Sequence, residues 1–221
     1  PYNSFKTEAF AKYFCEVENI SDLKKCLTEF PNEEKLILGG GCNLFFTKDF
    51  DGLVIKTNLK GIREFSDDED EDNDMYIEAM ASEDWDTFVE YCVNKGFSGV
   101  ENLSLIPGTI GAAPVQNIGA YGAEVKDCIR EVVALNMETL EIVSFSNSEC
   151  EFAYRDSIFK QTNKYFIVSV IFHLKRSFIY KPKYADLNKE LEDIETPGIK
   201  DVRDAVIRIR ERKLPDHKDL P

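Results

Sequence analysis

The sequence has 221 residues, of which 43% are hydrophobic and 31% charged, and a formal net charge of −14. That length supports one large domain or two small ones with a real core, in the balance of an ordinary soluble globular protein. The acidity, with no basic stripe against it, excludes a nucleic-acid partner and weakens attraction to anionic membranes.

A phosphate ligand would therefore rest on backbone amides and a few placed cations. Cys15, Cys26, Cys42, Cys92, Cys128 and Cys150 are widely spaced and include no Cys-x-x-Cys pair. They read as reduced, mostly buried thiols of a cytoplasmic protein. His173 and His217 are the two histidines and have no ligand spacing around them, so no metal site is expected. No signal peptide or apolar run of membrane-spanning length is present. Pro1 in place of Met predicts a trimmed N-terminus.

Residues 4–16 read as an extended, aromatic-rich lead-in. Ser21 is the expected N-cap of a helix over 22–30 that turns Leu23, Cys26, Leu27 and Phe30 to one side. A buried strand, Lys35 to Leu38, enters Gly39-Gly40-Gly41-Cys42-Asn43, and Gly52 to Ile55 forms the next strand. Strand, glycine turn and Asn can form a nest of N–H groups that holds a phosphate, or an ordinary turn. It is neither a G-x-G-x-x-G fingerprint, because position 44 is Leu, nor a P-loop, because no Gly-Lys-Ser/Thr follows. The acids between Ser66 and Asp74 read as a solvated loop between strands.

From Asp84 the apolar spacing predicts a helix with Trp85, Phe88, Val89, Cys92 and Val93 in the core and Gly96 as its stop. Ile129–Leu135 and Leu140–Phe145 pair as a hairpin across Asn136-Met137-Glu138-Thr139. Residues 152–160 form a polar cluster bounded by aromatics, and Tyr165–Leu174 is another strand. Thr196 and Pro197 are expected to open a helix over 199–212 that buries Val202, Ala205, Val206 and Ile209. Its last turn carries Arg208, Arg210, Arg212 and Lys213, which suits the negative helix end or simply a solvated one.

Between these elements, Glu101 to Gly122 holds four of the twelve glycines, two of the eight prolines and no Lys or Arg. Glycine permits positive φ and close approach, while Asn102, Gln116 and Asn117 offer neutral amides. The loop suits a flat, hydrogen-bonding ligand, or it is a tightly packed turn region.

Leu38-Gly39-Gly40-Gly41-Cys42-Asn43, the Glu101–Gly122 loop, Tyr154-Arg155-Asp156-Ser157-Ile158-Phe159-Lys160 and Lys213-Leu214-Pro215-Asp216 together resemble the bacterial UDP-N-acetylenolpyruvoylglucosamine reductases, in order and spacing, from about residue 3 to the end. The resemblance implies an α+β, FAD-binding fold of two α+β subdomains, 1–62 and 63–180, and the start of a substrate-binding region at 181–221. It implies NADPH-driven reduction of the enolpyruvyl ether of a UDP-sugar for peptidoglycan synthesis, by a cytoplasmic monomer.

By the same matching, Gly39, Gly40, Gly41, Cys42, Asn43 and Leu44 would hold FAD from one side. Asn102, Ile106, Pro107, Gly108, Gly111, Ala112 and Ala113 would hold it from the other. Gln116, Asn117, Gly119, Ala120, Tyr121, Gly122 and Tyr154 complete the implied cofactor set, and Tyr184, Arg210 and Lys213 the implied UDP contacts. Arg155 is the implied catalytic cation, aimed at the charge that develops on the substrate carboxylate. Cys42 stands where the family commonly has Ser, which an amide nest should tolerate. The family's proton-donating Ser and a catalytic Glu belong to segments beyond Lys-Leu-Pro-Asp that this sequence does not include. The stretch in hand is thus expected to bind FAD and to turn over slowly or not at all. Two other readings are a cofactor-binding module without turnover and a flavin oxidase of the same fold with covalent FAD. Covalent attachment typically uses His, and neither His173 nor His217 lies in a glycine loop.

Overall fold

Asn19, not Ser21, opens the first helix: its side chain accepts the Asp22 N–H at 2.9 Å. Starting two residues early brings Ile20 against the core, which decides between two acceptable caps. The computed structural model describes residues 2–65, 74–181 and 184–214. The acidic run at 66–73 and the residues Pro215, Asp216 and His217 therefore lie outside the described residues.

The chain begins with β1 (Ala11–Val17), α1 (Ile20–Glu29), β2 (Lys35–Leu38) and β3 (Phe50–Thr57). These make a parallel three-stranded sheet in the order β1-β3-β2. Next come β4 (Ile62–Phe65), β5 (Asp74–Met80) and α2 (Trp85–Asn94). The central loop contains a two-stranded ribbon, β6 (Gly119–Ala120) and β7 (Ala123–Glu124), turned at Tyr121 and Gly122. Both turn residues have positive φ (+49° and +78°), as a two-residue hairpin of this twist requires. The chain continues through β8 (Ile129–Asn136), β9 (Ile142–Ser146), α3 (Ile158–Thr162) and β10 (Tyr165–Lys175), and ends with α4 (Ala185–Glu190) and α5 (Ile199–Lys213). The second sheet is antiparallel in the order β4-β5-β10-β8-β9.

α2 is capped by Asp84, whose side chain accepts the Thr87 N–H at 2.9 Å. Its five expected core residues are all buried, with Phe88 against Phe172 of β10 at 4.6 Å between ring centroids. The 136–139 hairpin forms as expected: Asn136 Oδ1 accepts the N–H groups of Glu138 and Thr139. A second core lies where α1 and β3 meet the other sheet, joining Leu23, Leu27, Leu53 and Ile55 to Leu135, Phe166 and Val168. The two sheets thus share apolar contacts but stay apart along one side, and that gap is the cleft described below.

Two more expectations are corrected. Cys15 of β1 and Cys26 of α1 form a disulfide, so these two are not free thiols; Cys42, Cys92, Cys128 and Cys150 are. The sequence pattern places Cys26 on the apolar face of its helix and Cys15 in the extended lead-in, and carries no sign that the two will meet. At the last helix, Gly198 and not Thr196 is the N-cap, its N–H donated to Asp201 Oδ2 at 2.8 Å. Val202, Ala205, Val206 and Ile209 are buried as expected, and so is Arg203, at 7% exposure.

Candidate active site

β2 ends at Leu38 and delivers the chain into the glycine turn. Lys56 Nζ, from β3, donates to the Gly39 carbonyl at 2.8 Å and so fixes one peptide of that turn. In a trans peptide the next N–H points the opposite way, so Lys56 also orients the Gly40 N–H. Burial lowers the Lys56 pKa, the nearby Glu16 opposing it. Gly41 has φ +67°, and a Cβ there would overlap the backbone of Tyr2, because residues 2–4 run across the turn and Ser4 N–H donates to Gly41 O at 3.1 Å. Among the described residues, the N–H groups of Gly40 to Leu44 donate no hydrogen bond to backbone. They remain available as donors.

The central loop faces this turn. Leu105 is held at φ +58° with its N–H donated to Asp86 of α2. Gly108 follows at φ +136°, and a Cβ built on it meets no atom within 4 Å, so it would project into open cleft. Gly111, in contrast, is needed for contact: a Cβ there would sit 2.7 Å from the Cβ of Ala81. Asn43 Nδ2 donates to Gln116 Oε1 at 3.4 Å and joins the two loops across the opening. The resulting cleft is about 470 Å³, lined by Gly39–Leu44 and by Pro107, Gly108, Gly111, Ala112, Ala113 and Gln116, all among the sequence-derived set. Ile167 of β10, with Ala81 and Met137 just past the ends of β5 and β8, supplies apolar wall, and Lys160 also lines the cleft.

The remaining sequence-derived residues lie beside the cleft in two groups. In the first, Asn117 is buried at φ +42°; its amide donates to Ala153 O at 3.0 Å and accepts the Lys126 N–H at 3.2 Å. Arg155 (φ +55°) donates to the carbonyls of Asn117 at 3.3 Å and Gly119 at 2.7 Å, and its guanidinium lies 5.7 Å from the exposed Tyr154 ring. Ser157, fully buried, donates to Val115 O at 2.8 Å. The 153–157 segment is thus sewn onto the central loop at three points. Two carbonyls use only part of the donor set of the guanidinium, which has donors to spare. Glu124, across the ribbon, is held below its ordinary pKa by a hydrogen bond from Lys126, with Arg155 contributing at longer range.

The second group surrounds Tyr121. Asn102 Nδ2 donates to its carbonyl at 2.9 Å, and its ring meets Tyr184 edge-on at 5.3 Å. Burial raises the Tyr121 pKa, opposed by Arg210 and Lys213. Burial lowers that of Arg210, opposed by Tyr121 and Asp86, and Arg210 Nε is buried without a partner among the described residues. Lys213 pairs with Asp186 of α4, while Arg208 and Arg212 both pair with Glu190. The last turn of α5 holds Arg210, Arg212 and Lys213, with Arg208 just before it, and of these four Arg210 is the one turned inward. Ile106 packs on the main core and Ala120 beside it.

Sequence reasoning missed Asp86 and Arg203, which pair at 2.7 Å and 3.0 Å and join α2, the central loop and α5. The one available signal was a charged residue next to Val202 in an apolar stripe. It also missed Lys56, Thr57 and Thr109.

These residues fit FAD. The Gly108 space takes ligand without displacing protein, the glycine-turn amides suit a pyrophosphate, and the two-sheet gap has an apolar wall for a flat ring. His173 lies elsewhere, on β10 against Asp74 at 2.6 Å, and does not line the cleft. No helix of the described residues is long and apolar enough to cross a membrane, and they hold no cluster of metal-ligating side chains.

The FAD binding domain family matches residues 11–144. The UDP-N-acetylenolpyruvoylglucosamine reductase of Flavobacterium johnsoniae is 47% identical over 224 aligned residues, covering 99% of this chain and 66% of its own length. That of Neisseria gonorrhoeae is 46% identical, with 100% of this chain and 65% of its own length covered. The chain thus spans slightly less than two thirds of the curated relatives it matches. Among solved structures, UDP-N-acetylenolpyruvylglucosamine reductase from Thermus caldophilus has a TM-score of 0.69 at 19% identity, over 97% of this chain and 68% of that one. Cholesterol oxidase from Brevibacterium sterolicum has a TM-score of 0.50 at 12% identity, over 73% and 34%. At those identities the two structures establish the shared α+β fold. With more than half of its residues matched, and a two-loop cleft that fits the cofactor, the chain belongs to the FAD binding domain family, and its relatives there are UDP-N-acetylenolpyruvoylglucosamine reductases.

Proposed function

We propose that the protein carrying this chain reduces the enolpyruvyl ether of a UDP-sugar with NADPH, through bound FAD, in peptidoglycan synthesis. The observation that carries the proposal is the placement of Arg155. A permanently charged guanidinium is tied to the carbonyls of Asn117 and Gly119, in the same loop that lines the cofactor cleft. Identity of 46–47% to the named reductases, along nearly the whole of this chain, supports the choice of substrate.

Bound FAD supplies the hydride chemistry. The chain's own residues hold and orient. The 39–44 turn and the 106–122 loop grip the cofactor, with Asn43 and Gln116 closing one edge. Arg155 meets the substrate carboxylate and stabilises the charge that grows on it during reduction, as an oxyanion hole does, already fixed by its two carbonyl contacts. Tyr121, Tyr184, Arg210 and Lys213 form a separate aromatic and cationic patch suited to a uracil ring and a diphosphate. With no dinucleotide fingerprint in the sequence, NADPH uses the substrate's side of the cleft in turn, giving ping-pong kinetics. The disposition of residues 1–62, 63–180 and 181–221 as two cofactor subdomains and a substrate region belongs to the same reading, as do a cytoplasmic location and a monomeric state.

The test is turnover by the full-length protein. Purified with FAD, it should oxidise NADPH in proportion to added UDP-N-acetylglucosamine enolpyruvate. Flavin retained without any such turnover would favour a binding module, and turnover of another alcohol or ether with oxygen would favour an oxidase.

A further inference from the structure

We propose that the hydroxyl of Thr57 is a hydrogen-bonding contact for the bound cofactor, held in reserve by the protein for that purpose. The inference rests on the flavoprotein reading above and adds a residue to it.

Thr57 is 5% exposed, and its Oγ1 has no hydrogen-bond partner among the described residues. Buried hydroxyls are nearly always paired, and an exception calls for a missing partner. The neighbouring polar groups pair with one another and not with this hydroxyl: Lys56 Nζ donates to Gly39 O at 2.8 Å and to Thr57 O at 3.3 Å. Val17 O, from the neighbouring strand, takes the Asn58 N–H at 2.9 Å.

The position is as telling as the missing partner. Thr57 is the last residue of β3, the central strand of the parallel sheet, and β2 beside it ends in the glycine turn. Parallel strands put both carboxyl ends on one edge, which is where open sheets of this kind receive ligands. Thr57 lines the cleft together with Ala81 and Met137, each one residue past the end of β5 and β8, and Ile167 of β10. None of those three side chains can accept or donate a conventional hydrogen bond. A rotation of about 120° about χ1 exchanges Oγ1 with Cγ2, so the hydroxyl can turn to a ligand between the sheets without backbone movement. A Val would serve a purely apolar wall equally well. The hydroxyl has a use only when something polar fills the cleft.

Two measurements on Thr57→Val and Thr57→Ser in the full-length protein test this: affinity for FAD from flavin fluorescence, and melting temperature of the flavin-free form. Thr57→Val should raise the Kd for FAD roughly tenfold, while Thr57→Ser stays within about threefold of the wild type. The flavin-free Thr57→Val protein should melt at the wild-type temperature or above it, because an unpaired buried hydroxyl has been removed. Opposite signs in the two measurements are the signature of a ligand contact. If the wild type binds FAD and Thr57→Val binds it as tightly, the assignment of Thr57 fails and the flavoprotein reading stands. A melting temperature that drops in flavin-free Thr57→Val, with affinity lost in proportion, would show a structural hydroxyl and overturn the assignment. A wild type that takes up no FAD sinks both.

Discussion

Asp86 and Arg203 meet through two parallel hydrogen bonds, at 2.7 Å and 3.0 Å, and the same carboxylate accepts the N–H of Leu105. One side chain therefore joins the start of α2, the left-handed Leu105 of the central loop, and the helix that bears Arg210. Burial alone would raise the Asp86 pKa, but the Arg203 bonds, the Leu105 N–H and the nearby Arg210 outweigh it and hold it below 3.8.

Breaking this pair should cost more from the acid's side than from the base's. Asp86→Ala leaves Arg203, with a side chain only 9% exposed, charged and unpaired. That loss is about 3–5 kcal/mol, or of order 10 °C in Tm for a chain of this size. Arg203→Met should cost less, since it leaves the better-solvated partner behind. Because the folded-state pKa of Asp86 is depressed, its contribution is complete above the unfolded value near 3.8 and is lost as pH falls through the folded value. Thermal melts of wild type and Arg203→Met should therefore differ at neutral pH and converge in strong acid. A constant difference down to pH 2 would contradict the assignment.

Arg155 is expected to act in one half-reaction. Arg155→Ala should slow oxidation of the reduced enzyme by the enolpyruvyl substrate by about 10²–10³, and change reduction by NADPH far less. Arg155→Lys should restore only part, since an ammonium lacks the planar fork. Stopped-flow traces of each half-reaction separate the effects. Equal slowing of both would make the contacts to Asn117 and Gly119 the whole role of Arg155.

In the glycine turn the backbone and the thiol should behave differently. Cys42 Sγ donates to Gly40 O at 3.5 Å, a contact a hydroxyl can also make. Cys42→Ser should keep the Kd for FAD within about threefold, under roughly 0.7 kcal/mol. Gly41→Ala should weaken FAD by about tenfold or more, because its Cβ overlaps Tyr2 backbone and its φ of +67° is strained for Ala. Fluorescence titration decides both, and a hundredfold loss in Cys42→Ser would show that the thiol itself binds.

Arg210 should serve the nucleotide and not the flavin. Arg210→Met is expected to weaken UDP, measured by calorimetry, by about 10–100-fold, the value of a charge-assisted hydrogen bond. FAD affinity should stay within about threefold. Loss of both together would place Arg210 in the shared scaffold with Asp86.

What the sequence by itself determined is local or long enough to be distinctive. The α2 stripe from Trp85 to Val93, the Asn136 turn and the buried face of α5 follow from spacing, because helix and strand periods fix which side chains share a face. Composition left the two glycine loops open between ligand loop and tight turn, the family resemblance favoured the first, and both line the cleft. Tertiary structure decided everything that depends on distant segments meeting. β10 lies between β5 and β8, and no local pattern specifies that order. Asn43 reaches Gln116, Arg155 reaches Asn117 and Gly119, Cys15 reaches Cys26, and Asp86 finds Arg203 across 117 positions. Even the choice of Asn19 over Ser21 as a cap was made by Ile20 packing on the core. Polar pairs and orphan groups such as Thr57 Oγ1 are set by what the folded chain leaves within 3 Å, and that distance is defined only once the sheets have packed.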